Sequence, residues 1–584
     1  MFYSSLTKAE LVLTIDSPIL LNTLESTLAI ANWLGDGTEL NNKALAQHPY
    51  YQSIVHSIAN DLDAAKKNDN KLSVTMAKSH RLFNKKWLYS KSAYYELVGI
   101  INRLDRRDFA TNTCGETRLI YRLSYKTKKG NIVISSRLPL TINAVFWVKD
   151  DQQACQHAAK VWDLKKPLLA EKLIAKSGPL HPSKISLTQL KSIEVNMQAI
   201  RWPSTIRPDM GGYAEYFLRV FTLDPSHKAF QLSPLENTPA VSTINNNSVI
   251  KKSLLNYIKQ PENIAKLDQG LLVIPEKYLA KKVSSHALHG LSRLANRPFD
   301  QLFSESDFSD VSFTRYKSIK TPYALLRRLN DMSCAGCHQA RSIAGFHFVG
   351  KDADSTPIAN SIHTATSPHF IGDIPRRRQY NYNLLNAKIP NPSRPFSERA
   401  INNEGGRGAH CSLNRDPSFT KWQCNQGLHC ENINGHRHQP IGRCVTTKPT
   451  AGAACQLGVL KQHPDPLKDR LTFTRKKSCS NNHHCEQSKV GFPNGMCSSD
   501  CSNLKEGETC GSIAILYGFN RCLAANQPFI DCLSNNVRPA ALMQCDLNTP
   551  CHDDYICTKT KTGAGACIPP YFLFQLRVDG HPKP

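Results

Sequence analysis

Residues 114–125 read Cys-Gly-Glu-Thr-Arg-Leu-Ile-Tyr-Arg-Leu-Ser-Tyr and alternate between polar and apolar side chains. A period of two is typical of a β-strand, because successive side chains of a strand point to opposite faces. Residues 128–131, Lys-Lys-Gly-Asn, provide a turn signal, and strand-like runs follow at residues 132–136 and 138–148. This stretch predicts three or more antiparallel strands.

The polar residues of the first strand, among them Glu116 and Arg118, are predicted to form a solvent-exposed face. Neither a catalytic triad nor a phosphate-binding loop accompanies them in this part of the sequence. The flanking pattern predicts helices at residues 19–30 and 154–173 and further strands at residues 191–202 and 213–223. The middle of the chain is therefore predicted to be an α+β unit.

Helical patterning returns downstream, at residues 250–258, 264–272 and 278–294. The segment 321–332 also predicts a helix, with Thr321 as its N-cap, a proline in its first turn and apolar residues along one face. This helix is expected to end at Cys334.

Residues 334–338 are Cys-Ala-Gly-Cys-His, a C-x-x-C-H motif. Two thiols three positions apart can form thioether bonds to the two vinyl groups of one porphyrin, and the imidazole that follows them can bind the iron from one face. The motif therefore predicts covalently bound haem c on Cys334 and Cys337, with His338 as an axial iron ligand.

At this point the sequence resembles the mono-haem cytochromes c, in which a helix also runs into a C-x-x-C-H motif. The resemblance covers roughly 20 residues and implies a cofactor rather than a whole fold. It favours one-electron transfer or redox sensing over oxidoreductase or peroxidase chemistry, and it places the chain among haem proteins that meet a redox partner.

Other interpretations of the motif stay open. A C-x-x-C pair can be a redox dithiol, but such pairs begin a helix, whereas a helix precedes this one. A zinc site would need a second cysteine pair, and none lies within 70 residues. The motif could also be coincidental, or a local disulfide between Cys334 and Cys337. In that last case the chain would be a secreted, disulfide-rich binding or structural protein.

The second axial ligand is expected to be a histidine, because no methionine occurs between Met332 and Met496. The candidates are His363, His369 and His347, with His286, His289, Met210 or an open iron site as further options. Possible pocket walls are Ile343, Phe346 and Phe348, and possible partners of a haem propionate are Arg327, Arg328 and Arg341.

The 584 residues carry a formal net charge of +26. This charge indicates attraction to an anionic surface or an acidic redox partner. A nucleic-acid partner is not favoured, because no helix-turn-helix, RNA-binding or zinc-finger pattern accompanies the charge. Residues 11–30 are too polar for a transmembrane segment. Nothing in the sequence indicates an oligomeric state.

Cysteine usage points to an oxidising compartment, hence to the periplasm, secretion or the cell surface. The chain has 20 cysteines, and sixteen of them lie between Cys411 and Cys567. Cys114 and Cys155, in the N-terminal half, could bridge each other. The N-terminus lacks the pattern of a signal peptide, so the chain is expected to be a mature form or to begin downstream of its true start.

The C-terminal cysteines follow a repeating unit of G-x-x-C, then C-x5-C, then G-x-C. The copies are expected to begin at Cys411, Cys455 and Cys510, and the third is expected to contain Cys545, Cys551 and Cys567 with Cys557 as an insertion. Units of this size bury little core, so disulfides are expected to hold them. A metal-binding alternative rests on His436, His438, His483 and His484.

The chain is therefore predicted to be an α+β multidomain protein with a helical haem-binding segment and a C-terminal disulfide-rich repeat region. Its regions are expected to be a mainly helical segment at residues 1–105, an α+β region with antiparallel strands at 106–235, a helical haem-binding segment at 236–373, a linker at 374–405 and a cysteine-rich repeat domain at 406–584.

Overall fold

A computed structural model gives the fold of most of the chain. It describes residues 10–35, 41–75, 80–109, 112–149, 155–202, 213–286, 293–340, 368–396, 404–405, 409–432, 439–447, 455–476, 478–479, 483–486, 496–499, 544–545, 556–559, 565–568, 578 and 581–584. Within these residues, no helix is both long enough and apolar enough to cross a membrane.

The N-terminal region begins with short strands and four helices. These elements are β1 (Glu10–Leu11), β2 (Thr14–Ile15), α1 (Pro18–Leu28), α2 (Ile30–Leu34), α3 (Asn42–Leu45), α4 (Pro49–Asn68), β3 (Leu72–Ser73) and β4 (His80–Leu82). Helix α4 starts at a proline, whose missing amide costs nothing in the first turn. Its buried Ile54, Ile58 and Leu62 recur every four residues and face one core.

A large antiparallel sheet follows. Its long strands, with the small elements between them, are β5 (Ala93–Arg103), β6 (Thr113–Lys129), β7 (Ile132–Lys149), α5 (Gln156–Val161), β8 (Asp163–Leu164), α6 (Ala170–Ile174), β9 (Leu190–Trp202), β10 (Tyr213–Asp224) and β11 (Ala229–Ser233). The main path of the sheet runs β11-β10-β9-β7-β6-β5-β2. The predicted strands and the mixture of helix and strand are confirmed, although β-structure predominates.

The prediction for residues 1–105 underestimated strand. Strand β5 reads AYYELVGIINR and pairs with β6 along its length. Its aromatic and β-branched residues favour an extended chain that packs against neighbouring strands. The sheet therefore contains strands that precede residue 105 in the sequence and strands that follow it.

The two faces of this sheet differ in chemistry. On one face, alternate residues of β6 such as Leu119, Tyr121 and Leu123 join the hydrophobic core with α1 and α4. On the other face lie Glu116 and Arg118, which expose 0% and 6% of their surface. The prediction of a solvent-exposed polar face was wrong. The alternation is that of a two-faced strand, but both faces are covered.

A second core lies downstream and is rich in aromatic residues. Its elements are α7 (Val241–Asn245), α8 (Ser248–Lys259), α9 (Pro261–Gln269), β12 (Val283–His286), α10 (Pro322–Met332) and α11 (Cys334–Ala340). The helix predicted at residues 278–294 is not formed where the structure describes this segment, because β12 pairs with the edge of β10 instead. Tertiary pairing overrides the local pattern there.

Helix α12 (Pro368–Leu385) runs into the segment predicted as a linker at residues 374–405. Its Tyr380 and Leu384 join the core of the sheet, so the first part of that segment is anchored by burial. Residues 386–396 contain no helix or strand, as the proline-rich pattern predicts.

The C-terminal region consists of short strands. They are β13 (Glu404–Gly405), β14 (His410–Ser412), β15 (Gln423–Cys424), β16 (Leu428–Glu431), β17 (Ile441–Thr446), β18 (Gln456–Lys461), β19 (Arg470–Lys476), β20 (His483–Glu486), β21 (Met496–Ser499), β22 (Gln544–Cys545), β23 (Ile556–Lys559) and β24 (Gly565–Ile568). Phe419, Trp422 and Ile441 of this region belong to the aromatic core. The first repeat is therefore docked on the preceding helices.

The predicted disulfides are present in the described residues. Cys114 pairs with Cys155 in the sheet region. The first repeat contains the bonds Cys411–Cys430 and Cys424–Cys444. In the second repeat, the bond Cys455–Cys485 corresponds to Cys411–Cys430. The first cysteine of a unit therefore pairs with the third, and the second with the fourth.

The strand register changes which cysteines are assigned to the third repeat. Cys430 lies opposite Cys444, Cys485 opposite Cys497, and Cys557 opposite Cys567. In the first repeat Cys411 lies opposite Gly442, and in the third Cys545 occupies the same position opposite Gly565. Cys557 is thus the third cysteine of its unit rather than an insertion, and the unit begins at Cys545 rather than Cys510.

Candidate functional site

Helix α10 leads directly to the C-x-x-C-H motif, as predicted. The Oγ1 atom of Thr321 accepts a hydrogen bond from the amide of Ala324 at 3.1 Å, so Thr321 is the N-cap. Pro322 is the first helical residue. Apolar residues on one side of the helix, Leu325 and Leu329 among them, are buried in the aromatic core. This packing fixes the direction in which the chain enters the motif.

A break at Ser333 separates α10 from the motif. Its backbone is extended, and its Oγ atom accepts the amide of Gly336 at 3.1 Å. Its carbonyl accepts the amide of Cys337 at 2.7 Å. Ser333 is therefore the N-cap of α11, and Cys334 begins a helix of its own. The preceding helix α10 therefore does not exclude a redox dithiol at Cys334 and Cys337.

Gly336 sits where the two helices turn against each other. A Cβ atom at position 336 would lie 1.9 Å from the carbonyl oxygen of Asn330, so a side chain does not fit there. The side chain of Asn330 donates to Asp300 at 2.7 Å and accepts the amide of Phe299 at 2.8 Å. The corner between α10 and α11 is therefore held on both sides.

The two cysteines of the motif carry thiols. They are three residues apart on one helix, which places them on the same side about one turn from each other. The amide of Cys334 donates to Thr238 Oγ1 at 2.8 Å, and its thiol donates to the carbonyl of Glu236 at 3.6 Å. Burial, with a further contribution from the Glu236 carboxylate, raises the pKa of the Cys334 thiol well above its usual range.

Strand β12 contacts α11. The hydroxyl of Ser285 donates to the carbonyl of Ala335 at 3.3 Å. The next residue, His286, projects from the opposite face of the strand, where its Nε2 atom lies 3.6 Å from a carboxylate oxygen of Glu215. The structure therefore places His286 away from α11, which speaks against it as an axial ligand.

Close to Cys334 lies a group of charges, most of them buried, here called the charged cluster. Its members are Arg103, Asp105, Arg106, Glu116, Arg118, Lys191, Glu194, Glu236, Asp373, Arg376, Arg377 and Arg394. Arg106 donates to Glu236 at 3.1 Å and lies 3.6 Å from Glu116. Although burial opposes ionisation, the Arg106 guanidinium lowers the pKa of Glu236 to about 2.

Glu116 is the central acid of one half of the charged cluster. Its carboxylate accepts from Arg118 at 2.7 Å and from Lys191 at 2.6 Å. Asp105 has the same role in the other half, where it accepts from Arg103 and Arg376, each at 2.8 Å. Burial favours the neutral acid at both positions, yet the paired cations hold both pKa values well below their usual range.

Several predicted site residues fall outside the described part of the chain. His347, His363, His289, Met210, Arg341, Ile343, Phe346 and Phe348 all lie there. His338 and His369 belong to α11 and α12, and only their backbone is described. The structure therefore leaves the choice of second axial ligand as a prediction.

The two arginines of α10 have structural roles. Arg328 is 1% exposed and donates to the carbonyls of Leu267, Arg394 and Pro395. Arg327 lies 3.5 Å from Asp331. These hydrogen bonds within the core speak against Arg328 as the partner of a propionate.

Sequence reasoning missed the residues that hold Cys334. Thr238 and Glu236 lie almost a hundred residues upstream, and no local pattern connects them to the motif. The charged cluster had a partial signal in the sequence, because Glu116 and Arg118 lie two residues apart on one face of a strand.

Comparison with protein-family models, curated proteins and solved structures finds no match to this chain.

Proposed function

We propose that the chain is an extracytoplasmic haem c protein that transfers single electrons or senses redox state. Cys334 and Cys337 hold the porphyrin through thioether bonds, and His338 binds the iron as an axial ligand. The bound iron supplies a one-electron couple. The proposal rests on one observation: the C-x-x-C-H motif starts a capped helix on which both cysteines are thiols.

The contrast with the other cysteines supports this assignment. Cys114, Cys155 and every C-terminal cysteine whose side chain is described are disulfide-bonded. Cys334 and Cys337 are set apart from this oxidised framework, and both thiols lie on one side of α11. Position 338 follows Cys334 by four residues, one helical turn further on. This spacing supports a single planar group bridged by two thioethers.

The rivals are less well supported. A redox dithiol needs a thiol that ionises readily, whereas burial raises the pKa of Cys334. A zinc site needs further ligands, and among the described residues the sulfurs that cluster within 4.8 Å are those of Cys411, Cys424 and Cys444, which form disulfides. The candidate histidines His436 and His438 lie outside the described residues, and only the backbone is described for His483 and His484.

The disulfides and the charge support the proposed location and partner. Structural disulfides persist in oxidising compartments, which supports the periplasm, secretion or the cell surface. The net charge of +26 favours an acidic redox partner or an anionic surface. The docked first repeat adds a second, disulfide-held unit beside α10 for such contacts.

Covalent haem can be tested directly. We expect the full chain, secreted by a host with c-type haem maturation enzymes, to keep a haem stain on a denaturing gel and to give a pyridine haemochrome spectrum of one haem per chain. Cys334→Ala combined with Cys337→Ala should remove the stain. The matched control, Cys114→Ser combined with Cys155→Ser, also removes two cysteines and should keep it.

The axial role has its own readout. His338→Ala should retain covalent haem but change the absorption spectrum of the iron, because the thioethers remain while an axial ligand is lost. A normal reduced spectrum in this variant would refute the role of His338. Folded wild-type protein without covalent haem would refute the proposed function.

A further inference from the structure

A groove of about 520 Å³ runs along one face of α8. Its helical wall is formed by residues that recur every three or four positions, and these are Val249, Lys252, Ser253, Asn256, Tyr257 and Gln260. Lys277 and Tyr278 form the opposite wall. The helix rises by about 16 Å between positions 249 and 260. The groove is therefore long enough for an extended ligand, and its volume lies within the range of ligand-binding sites.

The lining of the groove contains two lysines and no carboxylate. Among the described residues, the ammonium groups of Lys252 and Lys277 form no hydrogen bond or ion pair. Lys277 lies 4.9 Å from the ring centre of Tyr278. By contrast, Lys259 on the same helix forms an ion pair with Asp310 at 2.7 Å. The groove therefore presents two free cations to an anionic ligand.

Two acids lie near the groove. Glu276 precedes Lys277 in the chain, and Glu262 acts electrostatically on Tyr257. Neither acid lines the groove, and in the described part of the chain neither is ion-paired with Lys252 or Lys277. A ligand with carboxylates spaced along the groove can therefore pair with both lysines.

The groove also has an aromatic surface, because the ring centres of Tyr257 and Tyr278 lie 6.4 Å apart. The Tyr257 hydroxyl donates to the carbonyl of Val273 at 2.8 Å, and the Tyr278 hydroxyl is hydrogen-bonded to Ser253 at 2.7 Å. These bonds fix both rings. Tyr278 is only 3% exposed, so Tyr257 is the ring with accessible surface. The face of such a ring packs against the C–H groups of a sugar.

Two primary amides complete the groove. The side chain of Asn256 is exposed. The Oε1 atom of Gln260 accepts a hydrogen bond from Asn263 at 2.9 Å, so among the described residues its Nε2 donors remain for a ligand. Neutral donors and acceptors of this type suit hydroxyl groups, whereas the lysines suit carboxylates.

We propose that this groove binds an acidic oligosaccharide, a chain of sugars that carries carboxylates. The carboxylates pair with Lys252 and Lys277, the hydroxyl groups bond to Asn256 and Gln260, and a sugar ring packs on Tyr257. An acidic peptide offers carboxylates but lacks the hydroxyl groups and the flat C–H faces that suit the amides and Tyr257. This site does not depend on the proposed haem, because none of its residues belongs to α10 or α11.

Titration calorimetry of the full chain at low ionic strength tests the groove. The probe is tetragalacturonate, and maltotetraose is its neutral counterpart of the same length. We expect tetragalacturonate to bind and maltotetraose to bind at least about tenfold more weakly, because the neutral sugar forms no charge-assisted hydrogen bonds. Tetraglutamate, which carries the charge without the sugar rings, should also bind more weakly than tetragalacturonate.

Lys252→Gln combined with Lys277→Gln should weaken tetragalacturonate binding by at least about tenfold, and Asn256→Ala should weaken it by roughly threefold. All three positions are exposed, so the melting temperature should not change. The matched control, Lys66→Gln combined with Lys67→Gln, removes two exposed lysines of α4 and should keep full binding.

Absence of tetragalacturonate binding to the wild type would overturn the proposal. Equal binding of tetraglutamate would overturn it as well, because the sugar rings would then contribute nothing. A loss of binding in the α4 variant as large as that in the groove variant would assign the attraction to net charge and would also refute the site.

Discussion

The sheet and the C-terminal repeats are stabilised in different ways. Strands β6 and β7 are 17 and 18 residues long and bury side chains on both faces. The repeat strands β14 and β16 have three and four residues, and crossed disulfides close loops of 19 and 20 residues around them. A segment with enough side chains to bury relies on packing and buried ion pairs, whereas a segment without them relies on covalent bonds.

The largest expected effect lies in the charged face of the sheet. Glu116→Ala should lower the free energy of unfolding by about 3–5 kcal/mol, because it leaves buried cations without their acid. Urea unfolding measures this loss. Lys126→Ala, at an exposed position of the same strand, is the control and should change stability by less than about 0.5 kcal/mol. A loss below about 1 kcal/mol for Glu116→Ala would mean that the polar face contributes little to stability.

The disulfides of the repeats should give a smaller and more local effect. Cys411→Ser combined with Cys430→Ser should cost about 3 kcal/mol, the value expected for opening a loop of this length. Hydrogen exchange should show lost protection at residues 409–446 and unchanged protection in β5, β6 and β7. Loss of protection in the sheet as well would show that the two regions unfold as one unit.

A third prediction concerns acids with opposite pKa shifts within the sheet region. Burial raises the pKa of Glu25 to about 7. Between about pH 4.5 and 7 this residue therefore binds more protons in the folded chain than in the unfolded chain, so its contribution to stability falls as the pH rises. Glu25→Gln should therefore stabilise the protein by about 1–2 kcal/mol at pH 8 and have little effect at pH 4; the gain is smaller than the full shift implies because Glu25 is partly exposed.

Glu116 should behave in the opposite way. Its pKa is held well below its usual range, so its contribution is present above about pH 4.5 and is lost as the pH falls below that value. Chemical unfolding of both variants across pH measures the two signs. An equal effect of Glu25→Gln at pH 4 and pH 8 would contradict the shift of Glu25.

The last prediction concerns the disulfide connectivity of the second and third repeats and involves no change in stability. The register of the third repeat predicts Cys545–Cys557 and Cys551–Cys567, and the second repeat predicts Cys479–Cys497. Peptide mapping of the non-reduced chain by mass spectrometry identifies these bonds. A bond between Cys545 and Cys551 would break the repeat that relates the three units.

The sequence predicted features that depend on local pattern. Alternation located β6 and β7, the Thr321-Pro322 signal located α10, and the cysteine count suggested the Cys114–Cys155 bond. These features require only neighbouring residues, or a single pairing, to be recognised.

Features that depend on distant contacts were missed. Burial of Glu116 requires knowledge of what covers the second face of the sheet, and the capture of Cys334 by Glu236 and Thr238 joins segments far apart in sequence. The frame of the third repeat was misread because Cys545, Cys551 and Cys557 are evenly spaced, so C-x5-C fits two frames. Only strand register distinguishes them.

The hydrogen bond from the Cys334 thiol to the carbonyl of Glu236 bears on the order of events during biogenesis. A thiol with a raised pKa stays protonated at neutral pH, and only the thiolate attacks disulfides or electrophiles. Once α11 has docked, the raised pKa therefore slows both the exchange of Cys334 with the disulfides of this chain and its covalent modification. We therefore expect chemistry at Cys334 to be faster on the unfolded chain, before residues 236–238 pack against it.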